Sequence, residues 1–180
     1  MKKVKLISLM SVIVLLSSCN SITSTFNTAS TTSTLPMVTN DLKMEVAKNV
    51  NTITELYAAG KSKVGTEGEE IARNKAEVLA KDALRKAIRS EAYKDIRQKL
   101  DVANLKTGDF SDYSVNNYAN EIAVKLLNES EKRAEFQTGN TEIGVIYVLS
   151  KDRVKEETDD FFQEKLQGEI DRLQNIKTTN

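Results

Sequence analysis

Glu131–Leu149 reads EKRAEFQTGNTEIGVIYVL, and this stretch decides the fold. Ala134, Phe136 and Thr138 alternate with Arg133, Glu135 and Gln137. That is the two-residue period of a strand with one covered face and one wet face. Gly139-Asn140 fits a two-residue hairpin turn. Glu142–Leu149 is then nearly apolar throughout, so the second strand is either buried on both faces or central in its sheet. Its charged partner is the natural edge strand, because charges discourage edge-to-edge aggregation.

Such a sheet needs a third strand and covering helices. Thr52–Lys63 is rich in β-branched and aromatic residues early, and Gly60 interrupts a helix there, which predicts a strand. Ahead of it, Leu42, Val46 and Val50 lie four apart and suit a short helix over Asp41–Val50. The same phase could run on through Ile53 and Tyr57. Gly65 and Thr66 mark a turn. Thr66-Glu67-Gly68-Glu69 reads as a capping box, with Thr66 and Glu69 each satisfying the other's amide.

A long helix is predicted from there to about Val102. Ala72, Ala76, Leu79, Ala83 and Ala87 recur at three and four, and Leu84, Ile88, Ala92, Ile96 and Leu100 continue at four. A spacing of four drifts around a 3.6-residue helix. The buried stripe should therefore rotate, or the helix should bend or break near Ser90. The alanines allow close approach to a sheet. Lys106–Asp112 reads as a loop. Val115, Tyr118, Ala119, Ile122, Ala123 and Leu126 then form the cleanest amphipathic helix of the chain, capped by Asp112 or Ser114. After the apolar strand, Lys151–Ile176 is a final helix with Phe162, Leu166, Ile170 and Leu173 in one stripe and Val154 and Phe161 beside it.

The predicted fold class is α+β. A small antiparallel or mixed three-stranded sheet is packed by a long Ala-rich helix, a second amphipathic helix and a C-terminal helix. Residues 41–180 form its one domain.

The first nineteen residues, MKKVKLISLMSVIVLLSSC, follow a different logic. A basic start, a short apolar core and small residues before a cleavage site describe a secretory signal peptide over residues 1–18. The apolar run is far below the roughly 20 residues that span a bilayer. Leu16-Ser17-Ser18-Cys19 resembles the bacterial lipobox. That resemblance implies diacylglycerol on the Cys19 thiol, cleavage after Ser18 and acylation of the new amine. One acyl chain binds a membrane only marginally, whereas two or three anchor stably without a transmembrane helix. By resemblance to lipoprotein sorting, Asn20 after the cysteine points to the outer membrane. Residues 19–40 continue as lipidated cysteine and linker. Asn20–Asn40 is uncharged, dominated by Ser, Thr and Asn, and holds Pro36. It cannot bury enough apolar surface to offset its ordering entropy. As a flexible chain its reach is roughly 20–30 Å.

Composition excludes several function classes. Removing Lys2, Lys3 and Lys5 with the signal leaves 23 basic residues against 26 acidic ones. That is not the charge of a nucleic-acid binder. There is no histidine, no tryptophan and one cysteine. Serine–histidine and thiol–histidine catalysis need partners the chain lacks, and so do metal sites built on His or Cys. Gly60-Lys61-Ser62 ends like a phosphate-binding loop, but the required glycine five positions earlier is Glu55. Asp109 and Asp112, and the acids from Glu156 to Asp160, lack the ligand spacing of a calcium loop. They read as solvated surface. Asn128-Glu129-Ser130 matches a glycosylation acceptor by chance. No cofactor, metal or catalytic residue is expected.

The strand end YAAGKSKV, the helix EEIARNKAEVLAKDALRKAI and the segment GVIYVLSKDRV resemble the twenty-kilodalton membrane-antigen lipoproteins. Flagellar assembly lipoproteins are similar. The resemblance spans about Leu56 to Val154. It implies a small α+β domain on the outer membrane, without catalysis and often with a role in protein assembly. In that reading Gly60 is the strand-end glycine, and Ala72, Ala76, Ala80 and Ala83 form the helix face on the sheet. The expected function is a lipid-anchored cell-envelope protein that binds other envelope proteins in a non-catalytic role. Its expected partners are the membrane, through acyl chains on Cys19, and further envelope proteins, with a homo-oligomer left open. The alternative is a periplasmic regulatory module acting on a cell-wall synthesis enzyme.

Overall fold

A computed structural model describes residues 40–105, 110–139 and 141–178. The elements in chain order are α1 (Asn40–Asn49), β1 (Glu55–Lys63), α2 (Glu69–Ala103), α3 (Asp112–Leu127), β2 (Glu131–Thr138), β3 (Glu142–Ser150) and α4 (Lys151–Thr178). The fold is α+β. Its sheet is antiparallel throughout, in the order β1-β3-β2.

β3 is central and also buried on both faces. Ile143, Val145, Tyr147 and Leu149 point to one cluster with Leu56 and Ala58 of β1 and the buried face of α2. Ile146 and Val148 point the other way, to Leu42 and Val46 of α1. This accounts for its unbroken apolar sequence: two-residue alternation is lost when both faces need apolar side chains. The short helix α1 is thus the lid of the second face.

α2 runs unbroken through Ser90. Its buried residues are Ala72, Ala76, Ala80, Leu84, Ile88, Ala92, Ile96 and Leu100, at every fourth position. Each step of four overshoots a full turn by about 40°, so the stripe winds about 280° from Ala72 to Leu100. The predicted rotation is what occurs, without a break. The reason lies in length. A helix of 35 residues spans about 52 Å, while a nine-residue strand spans about 30 Å. The first half lies on the sheet, through alanines. The second half overshoots it and turns its larger residues toward α3 and α4.

Several expectations are corrected. Leu79 is exposed, because the buried row takes Ala80 instead. Ala83 is only partly buried. Thr66 does not cap α2. Gly68 takes that position at φ 91°, with no side-chain cap, and a left-handed residue there cannot belong to the first helical turn. Glu67 instead pairs with Lys75 at 2.5 Å. Ser111, not Asp112 or Ser114, caps α3; its Oγ accepts from the Ser114 amide at 3.3 Å. β1 begins at Glu55 rather than Thr52. Asn51 starts a turn instead, its side-chain oxygen accepting from Ile53 N and its carbonyl from Thr54 and Glu55 N. The hairpin pairs Thr138 with Glu142, so three residues rather than two connect its strands.

Candidate functional site

Among the described residues β1 and β2 are the two outer strands of the sheet, and they differ. β2 is blunted. It carries a bulge at Arg133, between the pairs Lys132↔Tyr147 and Ala134↔Ile146. Its charges are tied back to the body. Glu135 accepts from Arg73 at 2.6 Å and from Lys132 at 2.7 Å, and Lys132 also reaches Glu77 at 2.8 Å. Arg133 binds Glu55 at 2.8 Å and Glu131 at 3.1 Å. Bulges and paired charges are the usual protection of an edge strand. Between Arg73, Glu135, Phe136 and Ile143 lies a small pocket of about 180 Å³.

β1 is regular. All nine of its residues pair with β3 in one register. Alongside it, Ile71, Val78 and Leu79 of α2 are exposed at 40%, 67% and 53%. With Ser62, Asn74 and Lys75 they line an open groove of about 470 Å³. Positions 78 and 79 lie about two turns along from 71, on one side of the helix. The sequence marked Leu79 as core and did not single out this face, because four-residue drift hides a second apolar row beside the first.

A polar centre ties α3, the turn after it and α4 together. Arg153 donates to Glu129 at 2.8 Å and to Glu157 at 3.1 Å, and Lys125 reaches Glu157 at 2.5 Å. Glu157 is buried, with two cations to hold its charge. Thr158 beside it is fully buried and donates to the Val154 carbonyl at 2.7 Å. Phe161 and Phe162 pack on Tyr118 and Phe110, Lys165 lies over the Tyr118 ring, and α4 is mostly exposed from Gln167 on. The predicted stripe therefore splits: Phe162 and Leu166 are half-buried, while Ile170 is 40% exposed.

The electrostatics of these ion pairs point to structural roles. Hydrogen bonds from Lys132, then Arg73, hold the Glu135 carboxyl below its usual value. Lys75 does the same for Glu67, and Lys86 with Arg85 for Asp82. Glu129, then Glu157, raises the Arg153 guanidinium.

Other predicted positions are placed as follows. Gly60-Lys61-Ser62 lies inside β1 rather than in a loop. Lys61 crosses the sheet face to Glu142 at 3.9 Å. Gly60 is therefore mid-strand, not at its end. Asp112 pairs with Arg97 at 3.0 Å and Asp159 with Lys99 at 3.1 Å. Asn128 ends α3. Among the described residues no three acids, Cys or His come together as metal ligands, and no helix is long and apolar enough to cross a membrane. The signal segment, Cys19, the linker to residue 39, Asp109 with the rest of the loop at 106–109, and Asn140 lie outside the described residues.

No protein-family model matches the chain, and no curated protein is significantly similar to it.

Proposed function

We propose that this is a lipid-anchored cell-envelope protein whose folded body binds other envelope proteins and performs no catalysis. The observation that carries the reading is LSSC at 16–19 behind a basic, then apolar start. Acyl chains on Cys19 would hold the chain to the membrane, and Asn20 favours the outer membrane. The α1 helix begins 21 residues after Cys19. The polar segment between them supports a tether that holds the body off the lipid surface. The contrast between a protected β2 edge and a regular β1 edge beside exposed apolar residues supports binding. The resemblance to membrane-antigen and flagellar assembly lipoproteins accords with it.

Chemical cross-linking in intact cells tests the binding role. Capture of outer-membrane or flagellar components is expected. Capture of a cell-wall synthase alone would favour a regulatory module instead. Turnover of a substrate, abolished by changing one carboxylate, would overturn the non-catalytic reading.

A further inference from the structure

We infer that the segment Leu35-Pro36-Met37-Val38 seats on the α1 face of the sheet, over Phe136, Gly144 and Lys61, as a clasp that fixes where the N-terminal segment leaves the body. The direction of α1 sets the place. α1 ends at Asn49, a turn starts at Asn51, and β1 opens with Glu55 opposite Ser150. The C-terminus of α1 therefore lies at the Ser150 end of the sheet, and its N-terminus points toward the Glu142 end. Its 10 residues span about 15 Å, whereas Ser150 to Gly144 is about 20 Å of strand. Leu42 and Val46 cover Ile146 and Val148. The helix thus stops short of the next row on that face, which is Lys61, Gly144 and Phe136.

That row is built for a cover. The Phe136 ring lies over Gly144 where a Cβ would have been. Lys61 lies across the ring at 5.6 Å, with its amine 3.5 Å from Thr138 Oγ1 and 3.9 Å from Glu142. Its side chain is only 5% exposed, whereas a lysine on an outer strand is ordinarily wet. Partners at the amine do not dry the stem; that takes apolar atoms laid over it. The chain just ahead of α1 supplies them. Leu35-Pro36-Met37-Val38 is the longest apolar run between Cys19 and α1, and it carries no charge to set against Lys61. Val38 and Leu35 stand four and seven residues ahead of Leu42, so they carry the spacing of Leu42 and Val46 on toward that row. Seated there, the segment shortens the tether to residues 20–34 and brings it off the face opposite α2. Ile71, Val78 and Leu79 of α2 are then turned away from the anchor. That consequence rests on the lipid at Cys19; the seating itself does not, and its test is read on the chain in solution.

The test labels the purified full chain with an amine-acylating ester and reads each lysine by peptide mass mapping. In the parent, Lys61 is expected to react several-fold more slowly than Lys63, exposed on the same strand. Leu35→Ser with Val38→Ser should raise the Lys61 rate several-fold, and Val38→Ser alone should raise it less. Lys99, held by Asp95 and Asp159, should keep its rate in both, and every lysine should keep its rate in Phe26→Ser. A parent Lys61 that reacts as fast as Lys63 would overturn the seating. So would a Lys61 rate unchanged in both variants, raised only together with Lys99, or raised equally by Phe26→Ser.

Discussion

Gly60 of β1 lies directly beneath Ala76 of α2, so close that a Cβ at position 60 would strike the Ala76 carbonyl oxygen. The same atom would sit 2.5 Å from Ala80 N and 2.9 Å from the Leu79 Cβ. Glycine on the strand and alanines on the helix together set the distance between the two layers. Both glycine's missing side chain and the alanines' small ones are needed, because interiors pack to crystal-like density.

Gly60→Ala should therefore destabilise the protein by about 1–3 kcal/mol, since backbone must move to admit the methyl. Gly144 provides the comparison. The three atoms nearest its added Cβ all belong to the Phe136 ring, a side chain that can shift where backbone cannot, so Gly144→Ala should cost less. Thermal melts of both variants check the order. A Gly60→Ala protein that melts like the parent would contradict this layer spacing.

Leu84 is fully buried where the stripe on α2 turns from the sheet toward the other helices. Leu84→Ala should cost about 2–5 kcal/mol. Leu79→Ala, five residues earlier and half exposed, should lie within about 0.5 kcal/mol of the parent. Denaturant titrations of the two variants decide it. Equal losses would mean that the winding of the stripe is misplaced.

Much of the architecture is legible in the sequence because its signals are strong. The α3 stripe, the charged β2 and the apolar β3 each need only one rule of periodicity. The apolar run of β3 leaves two readings, covered on both faces or central in its sheet, and the strand is both. The misses share a cause: short polar signals compete locally. Thr66 and Ser114 are good capping residues, but Gly68 at positive φ and Ser111 hold the positions that matter. Leu79 is more apolar than Ala80, yet the sheet is too close for leucine. The regular β1 edge with its apolar flank was not legible, since an edge is a property of strand order and not of any one residue.

The buried Glu157 sits between Lys125 and Arg153. Arg153→Met leaves that carboxylate with one exposed lysine and frees Glu129 as well. The expected loss is about 1–3 kcal/mol, the range for a charged hydrogen bond removed from a buried group. Lys125→Met should cost less, since Lys125 is 61% exposed. Double-mutant melts with Glu157→Gln measure the coupling, and additive losses would contradict it.

Acid should loosen the tie between α2 and β2. Glu135 has its carboxyl lowered from an ordinary 4.5 by Lys132 and Arg73. A lowered folded value contributes stability above the unfolded one, and that contribution is lost as pH falls through the folded value. Glu135→Gln should therefore be less stable than the parent at neutral pH, by up to about 1 kcal/mol for a partly exposed pair. The gap should close as pH drops below 4.5. Melts across pH read it out, and a gap constant with pH would count against the ion pair.

The anchor at Cys19 is the centre of the functional account, and intact mass analysis of the mature polypeptide tests it most directly. The account predicts a chain that begins at Cys19, carries the added mass of two or three acyl chains, and partitions into detergent. A chain that still carries residues 1–18, or one with an unmodified thiol in the aqueous phase, would contradict it.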